Sequence, residues 1–227
     1  MPRPVPARPR RRRPGRPARA ALAARGDDAV RARLLRVAQE LFAAHGYAAV
    51  SVRALARAAH VSPAMIAYYF RDKAGLLDAV LDDVFERVIA QLERLAAAPP
   101  AAGDATSGLI RLYLETFSRE PWLPSFLVRE VLGGNPALRA RFAKRFPARI
   151  APLVLPLLRR EAASGRLRED LDPALAVLSV LGMCAFPYLV QPLLGPFLGY
   201  RLDEPFARRL LDHTTRLFLE GARGETP

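Results

Sequence analysis

From Asp28 onward the apolar residues recur every three or four positions, the spacing that lines one face of a helix. Val30, Leu34, Ala38, Leu41 and Phe42 form the first such run, which stops at Gly46. Ser51 stands where an N-cap is needed for a short helix carrying Val52, Leu55 and Ala59. Ser62 is placed to cap a second short helix, with Pro63 suited to its first turn. Asp72 then opens a long helix whose stripe runs Leu76, Leu77, Val80, Leu81, Val84, Phe85, and Ala97–Gly103 breaks it. Further helices are expected over about Thr106–Ser118, around Pro121–Leu132, and over Pro136–Ser164 with kinks at Pro147 and Pro152. Asp172 caps a helix opened by Pro173, and Asp203 caps a last one from Glu204 to Glu220. No segment alternates with period two between hairpin turns, so the fold class is all-α.

Residues 1–26 lack this periodicity and contain six prolines and nine arginines, which predicts a disordered arm. Residues 27–73 then form a three-helix unit, and residues 74–227 a larger helical domain. The formal net charge is +13, and most of the excess lies in the arm and the three-helix unit. That asymmetry implies a polyanionic partner at the N-terminal end. Cys184 is the single cysteine, so no disulfide or cysteine metal cluster can form within one chain, and a reducing cytoplasm is the expected compartment. Scattered histidines, no phosphate-binding glycine loop and no metal-ligand spacing argue against an enzyme, and no cofactor is expected.

The uncharged stretch Pro173–Tyr200 is long enough to cross a bilayer. Pro187, Pro192 and Pro196 should break it into a helix of about 15 residues and a loop. A buried or partner-facing helix, with no membrane association, is therefore expected.

Two short capped helices separated by the tight turn Ala59-His60-Val61 have the layout of a helix-turn-helix, whose second helix enters the major groove. Leu55, Val61, Ile66 and Phe70 fall on one side and can pack against Leu41 and Phe42, while alanines at 54, 56, 58 and 59 permit close approach. His60 occupies a turn position that favours positive φ, which histidine tolerates better than most residues. The opposite side of the second helix offers Pro63, Ala64, Ala67 and Tyr68. Phosphates could be held by Ser51, Ser62, Tyr68 or Tyr69, and by Lys73 at a helix N-terminus that itself favours an anion. Arg57 sits near the groove edge. Arg53 can grip a guanine, and Ala64 and Met65 can meet thymine methyls. The arginine arm could enter a minor groove or act as an electrostatic tether.

These residues carry a resemblance. The run Ala38-x-x-Leu41-Phe42-x-x-x-Gly46-Tyr47, then Ser51-Val52-Arg53, Val61-Ser62, and Tyr68-Tyr69-Phe70-x-x-Lys73-x-x-Leu76-Leu77, resembles the DNA-binding domain of the TetR family of bacterial regulators. The resemblance implies phosphate contacts from Ser51, Tyr68, Tyr69 and Lys73, with Pro63, Ala64 and Met65 near bases. His60, Ala64 and Ala67 depart from the family's frequent residues, and Ala67 removes one phosphate contact. It further implies a homodimer through the last two helices, a repressor on a palindromic double-stranded operator, and release by a small-molecule effector. Tyr113, Trp122, Phe126, Phe146, Met183 and Phe186 are candidates to line the effector cavity. The scarcity of charge in these segments points to an apolar effector.

Overall fold

The computed structural model describes the backbone of residues 19–98 and 105–222, and side chains from Asp27 onward. Ten α-helices follow one another, with no strand among the described residues. Three of them form the N-terminal unit: α1 (Arg19–His45), α2 (Val52–Ala58) and α3 (Pro63–Phe70). α4 (Lys73–Ala97) leaves that unit and runs into the larger domain of α5 (Ala105–Arg119), α6 (Leu123–Phe126), α7 (Pro136–Arg145), α8 (Pro147–Ala163), α9 (Pro173–Leu198) and α10 (Glu204–Ala222).

Local chemistry sets most boundaries. Asp72 accepts from Gly75 N at 2.7 Å and Asp172 accepts from Ala174 N at 2.7 Å, each capping its helix as expected. Asp203 Oδ1 likewise accepts from Phe206 N at 2.9 Å. On α4 the stripe from Leu76 to Leu92 is buried, and each fully buried leucine or valine contributes roughly 1.5–3 kcal/mol. α5 is the central element, packed against α4, α8, α9 and α10.

Four expectations need correction. α1 begins at Arg19, inside the stretch expected to be disordered, because alanines of high helix propensity follow there; residues 1–18 lie outside the described residues. The expected helix from 136 to 164 divides at Phe146, and Pro147 serves as the first residue of α8. α9 does not break at Pro187. It runs through all three prolines for 26 residues and stops at Gly199, whose φ of 65° is the left-handed cap conformation. Pro192 and Pro196 are themselves exposed, so their rings are accommodated at the surface of the bundle rather than in its core. Finally, the segment after α6 is a π-helical turn over Leu127–Leu132.

Arginines fix the packing at two places, one within the larger domain and one between it and the N-terminal unit. Arg141, Arg145 and Arg149, four residues apart on α7 and α8, pair with Asp78, Asp82 and Glu86, four apart on α4. Each pair is partly exposed and worth little alone, but three in step fix the register of α4 against its neighbours. Arg129, in the π-helical turn, donates to the carbonyls of Phe42 at 3.1 Å and Ala43 at 3.3 Å, closing the end of α1.

Candidate nucleic-acid interface and internal cavity

Ser51 Oγ accepts from Ala54 N at 3.1 Å and starts α2, which leaves the serine's own O–H free to donate. After Ala58 the chain reverses through a turn in which His60 N donates to Arg57 O at 3.1 Å and Val61 N to Ala56 O at 3.0 Å. His60 has φ of 53°, as its position required. Leu55, Ala56, Ala59, Ile66 and Phe70 are buried beneath the two helices with Phe42, while Leu41 and Val61 are half-buried. Of the four alanines expected to permit close approach, Ala56 and Ala59 do so; Ala54 and Ala58 face outward. α3 also packs close to α4, where a Cβ on Gly75 would run into the Phe70 carbonyl. A glycine in a helical first turn is the sequence signal for such an approach.

α3 consequently protrudes. Ser62, Pro63, Ala64 and Ala67 are exposed, Met65 and Tyr69 are half-buried, and Tyr68 is 71% exposed. Ser62 makes no side-chain cap bond, contrary to expectation, so its hydroxyl is not committed to the helix. Arg53 and Arg57 are exposed on α2. The protruding face thus carries small side chains, with an exposed phenol on the same helix and two exposed guanidinium groups on α2.

The remaining expected contacts are arranged differently. Tyr69 donates its hydroxyl proton to Asp27 Oδ1 at 3.0 Å, joining α3 to α1. Desolvation first, and this bond second, raise its pKa. Lys73 turns inward, donating to the carbonyls of Tyr47 and Val50 at 2.9 Å each and lying over the Tyr47 ring. Two of its three donors are thus spent within the chain. Arg71 joins the residues on this face, although its residue type and spacing gave no sign of it. It ends α3 with φ of 71°, its side chain is 80% exposed, and it adds a cation beside Tyr68 and Tyr69 in sequence.

A cavity of about 420 Å³ lies in the larger domain, among α4 to α9. Tyr113 lines it as expected, together with Phe85, Leu123, Leu127, Phe142 and Val177 among others. The other five aromatic and methionine candidates do not. Phe126 and Phe146 are core, the latter stacked on Phe85 at 4.3 Å. Trp122 donates to Glu120 Oε2 at 2.8 Å and packs edge-on against Phe126. Met183 is half-buried away from the lining, and Phe186 is 58% exposed. Helical spacing identifies apolar faces but not their rotation about the bundle, and that rotation decides which residues meet a void.

Among the described residues no cluster of three metal-ligating side chains occurs. The protruding second helix of a helix-turn-helix, on an all-helical body with an internal apolar cavity, defines a DNA-binding regulator. Residues 34–80 match the family described as "Bacterial regulatory proteins, tetR family". The chain is 30% identical over 141 residues to the "HTH-type transcriptional repressor Rv1474c" of Mycobacterium tuberculosis, covering 62% of this chain and 70% of that one. It is 23% identical over 190 residues to the "Probable HTH-type transcriptional regulator YttP" of Bacillus subtilis, covering 82% and 90%. Among solved structures, the fatty acid degradation regulator FadR from Bacillus halodurans superposes with a TM-score of 0.66 at 20% identity, covering 84% of this chain and 98% of that one. The chain belongs to the TetR family of bacterial transcriptional regulators, which are DNA-binding proteins and not enzymes.

Proposed function

We propose that the protein is a repressor that binds a pseudo-palindromic operator as a two-fold dimer and is released when a small apolar ligand fills the cavity. The exposed face of α3, flanked by Tyr68, Arg53 and Arg57, carries the reading. In this arrangement the Ser51, Ser62 and Tyr68 hydroxyls hold phosphates, Lys73 offers its one remaining N–H, and Tyr69 joins them only on releasing Asp27. Arg53, Pro63, Ala64 and Met65 meet base edges. Two α3 helices one turn of duplex apart, about 34–36 Å, would read the half-sites.

The dimer reading is supported by the outer face of α9, where Leu175 and Phe186 are exposed, and by Leu217 on α10. Contiguous apolar surface of this kind marks an interaction site. α9 is long and apolar enough to cross a membrane, but Ala176, Val180, Cys184 and Tyr188 on its inner face are buried in the helical core. A second copy is the occupant that fits a soluble DNA-binding family. The cavity's volume falls in the roughly 300–1,000 Å³ range of ligand sites. To move the population from 1:99 to 99:1, a ligand must favour the released state by about 5.5 kcal/mol.

Selection of the purified protein on random duplex DNA tests this reading. An enriched inverted repeat is the expected result, bound by two copies as judged by sedimentation. Enrichment of nothing beyond random duplex would overturn it.

A further inference from the structure

The chemistry of the cavity wall narrows the class of ligand. Among the described residues no Lys, Arg, His, Asp or Glu lines it. The lining residues that are exposed, and so mark its mouth, are also apolar: Pro147 and Ala151 on α8, and Ala174, Leu178 and Leu181 on α9. Two side chains on the wall carry a polar atom, Thr116 and Tyr113. Thr116 donates its hydroxyl proton to Leu112 O at 2.7 Å, within its own helix. Tyr113 is different. It is 9% exposed, its ring is stacked with Phe117 at 6.4 Å, and its hydroxyl has no hydrogen-bond partner among the described residues. Burial pushes its pKa up to about 12, so it stays protonated as a donor across the physiological range.

The Tyr113 hydroxyl is thus left to whatever occupies the cavity, and a ligand oxygen that bonds to it supplies the partner that the protein does not. An ionised group in the same space would find no counter-charge and would lose its hydration. We propose that the effector is an electrically neutral, mainly apolar molecule with one oxygen that accepts a hydrogen bond from the Tyr113 hydroxyl, and that free carboxylates are rejected. This inference rests on the reading of the cavity as the effector site. It makes Tyr113 the specificity-determining residue: the carbon wall supplies affinity, and one phenol selects an ester, ketone, ether or alcohol over both a hydrocarbon and an acid.

The test uses the full-length protein and three probes of equal chain length, methyl laurate, 1-dodecanol and laurate, each below its aggregation limit. Binding is followed by titration calorimetry and by the fluorescence of Trp122, the single tryptophan, which adjoins Leu123 of the wall. At pH 8 the ester and the alcohol should bind at least about 100-fold more tightly than laurate. Lowering the pH below the laurate pKa should bring its affinity towards that of the ester. Tyr113→Phe should weaken the ester and the alcohol about tenfold while leaving thermal stability unchanged. Ala174→Trp, at the exposed rim, should abolish binding of every probe.

Laurate binding as tightly as 1-dodecanol at pH 8, or an undiminished affinity in Tyr113→Phe, overturns the inference and leaves the cavity as a ligand site of different selectivity. Failure of all three probes to bind, or binding that survives Ala174→Trp, overturns the cavity reading itself and this inference with it.

Discussion

The Lys73 ammonium lies 4.3 Å from the centroid of the Tyr47 ring and donates to that residue's carbonyl oxygen at 2.9 Å. A second donation, to Val50 O at 2.9 Å, makes the lysine a clasp between the loop after α1 and the start of α4. It therefore holds the helix-turn-helix on its support, whatever else it does at the duplex.

The clasp separates two effects that a single alanine scan would merge. Lys73→Met should lower stability by about 2–4 kcal/mol, because two charge-assisted bonds are lost and two carbonyls are left without their donor. For a chain of this size that is a fall in Tm of roughly 4–16 °C. Tyr68→Phe removes one hydroxyl from a side chain that is 71% exposed. It should leave Tm unchanged and weaken operator binding roughly tenfold, the expectation for one phosphate bond at each of two half-sites. A Lys73→Met protein as stable as wild type would mean that the inward bonds contribute nothing net.

Legibility in the sequence followed the range of the interaction concerned. The starts of α2 and α4 were readable because Ser51 and Asp72 act on backbone donors three residues away, and that of α3 because Pro63 suits a first helical turn. The conformation of His60 was readable for the same reason. α9 was misjudged because the penalty of Pro187, Pro192 and Pro196 is local, whereas the burial of Val180, Cys184 and Tyr188 that supports the helix comes from other elements. The direction of Lys73 and the composition of the cavity wall depend on how helices are rotated against one another, which no spacing along the chain records.

His60 stores a measurable strain. A residue with a Cβ in the left-handed region is disfavoured by about 1–2 kcal/mol, less for histidine than for β-branched residues. His60→Gly should relieve it, partly offset by the greater freedom of glycine in the unfolded chain, for a net gain of about 0.5 kcal/mol. His60→Val should lose about 1–2 kcal/mol and also weaken DNA binding, since this turn sets α3 against α2. Urea unfolding of the pair gives the comparison, and equal stability of the valine and glycine proteins would show that the turn carries no strain.

Cys184 should be chemically silent in the native protein. It is fully buried, and desolvation raises its thiol pKa to about 12. The reactive thiolate is then present at about one part in ten thousand at pH 8 even before access is considered. Labelling with a small thiol reagent at pH 8 should proceed only as fast as the domain opens, and should become complete in denaturant. Rapid labelling of the native protein would require α9 to separate from α5, because Cys184 sits against the Ile110 carbonyl across that contact.

Glu161 on α8 provides the most demanding test of how the cavity is supported. Its carboxylate is buried, with 1% of the residue exposed, and it accepts from Ala105 N at 2.8 Å and Thr106 N at 3.0 Å, the first amides of α5. Thr106 Oγ1 also donates to it, and Arg166 Nε lies 3.3 Å from its other oxygen. A helix N-terminus favours an anion, and here the anion comes from a different helix. Glu161→Ala would strand at least two buried amides as well as the threonine hydroxyl, a loss of about 3 kcal/mol or more. Glu161→Gln keeps one acceptor oxygen and the shape of the side chain, and should lose about half as much. Because α5 also supplies Tyr113, Thr116 and Phe117 to the cavity, the alanine variant should weaken ligand binding in proportion, although Glu161 does not touch the cavity. Chemical denaturation and ligand titration of both variants should therefore rank wild type above Gln above Ala in each measurement; a stable alanine variant with unimpaired binding would show that α5 is held by its packing alone.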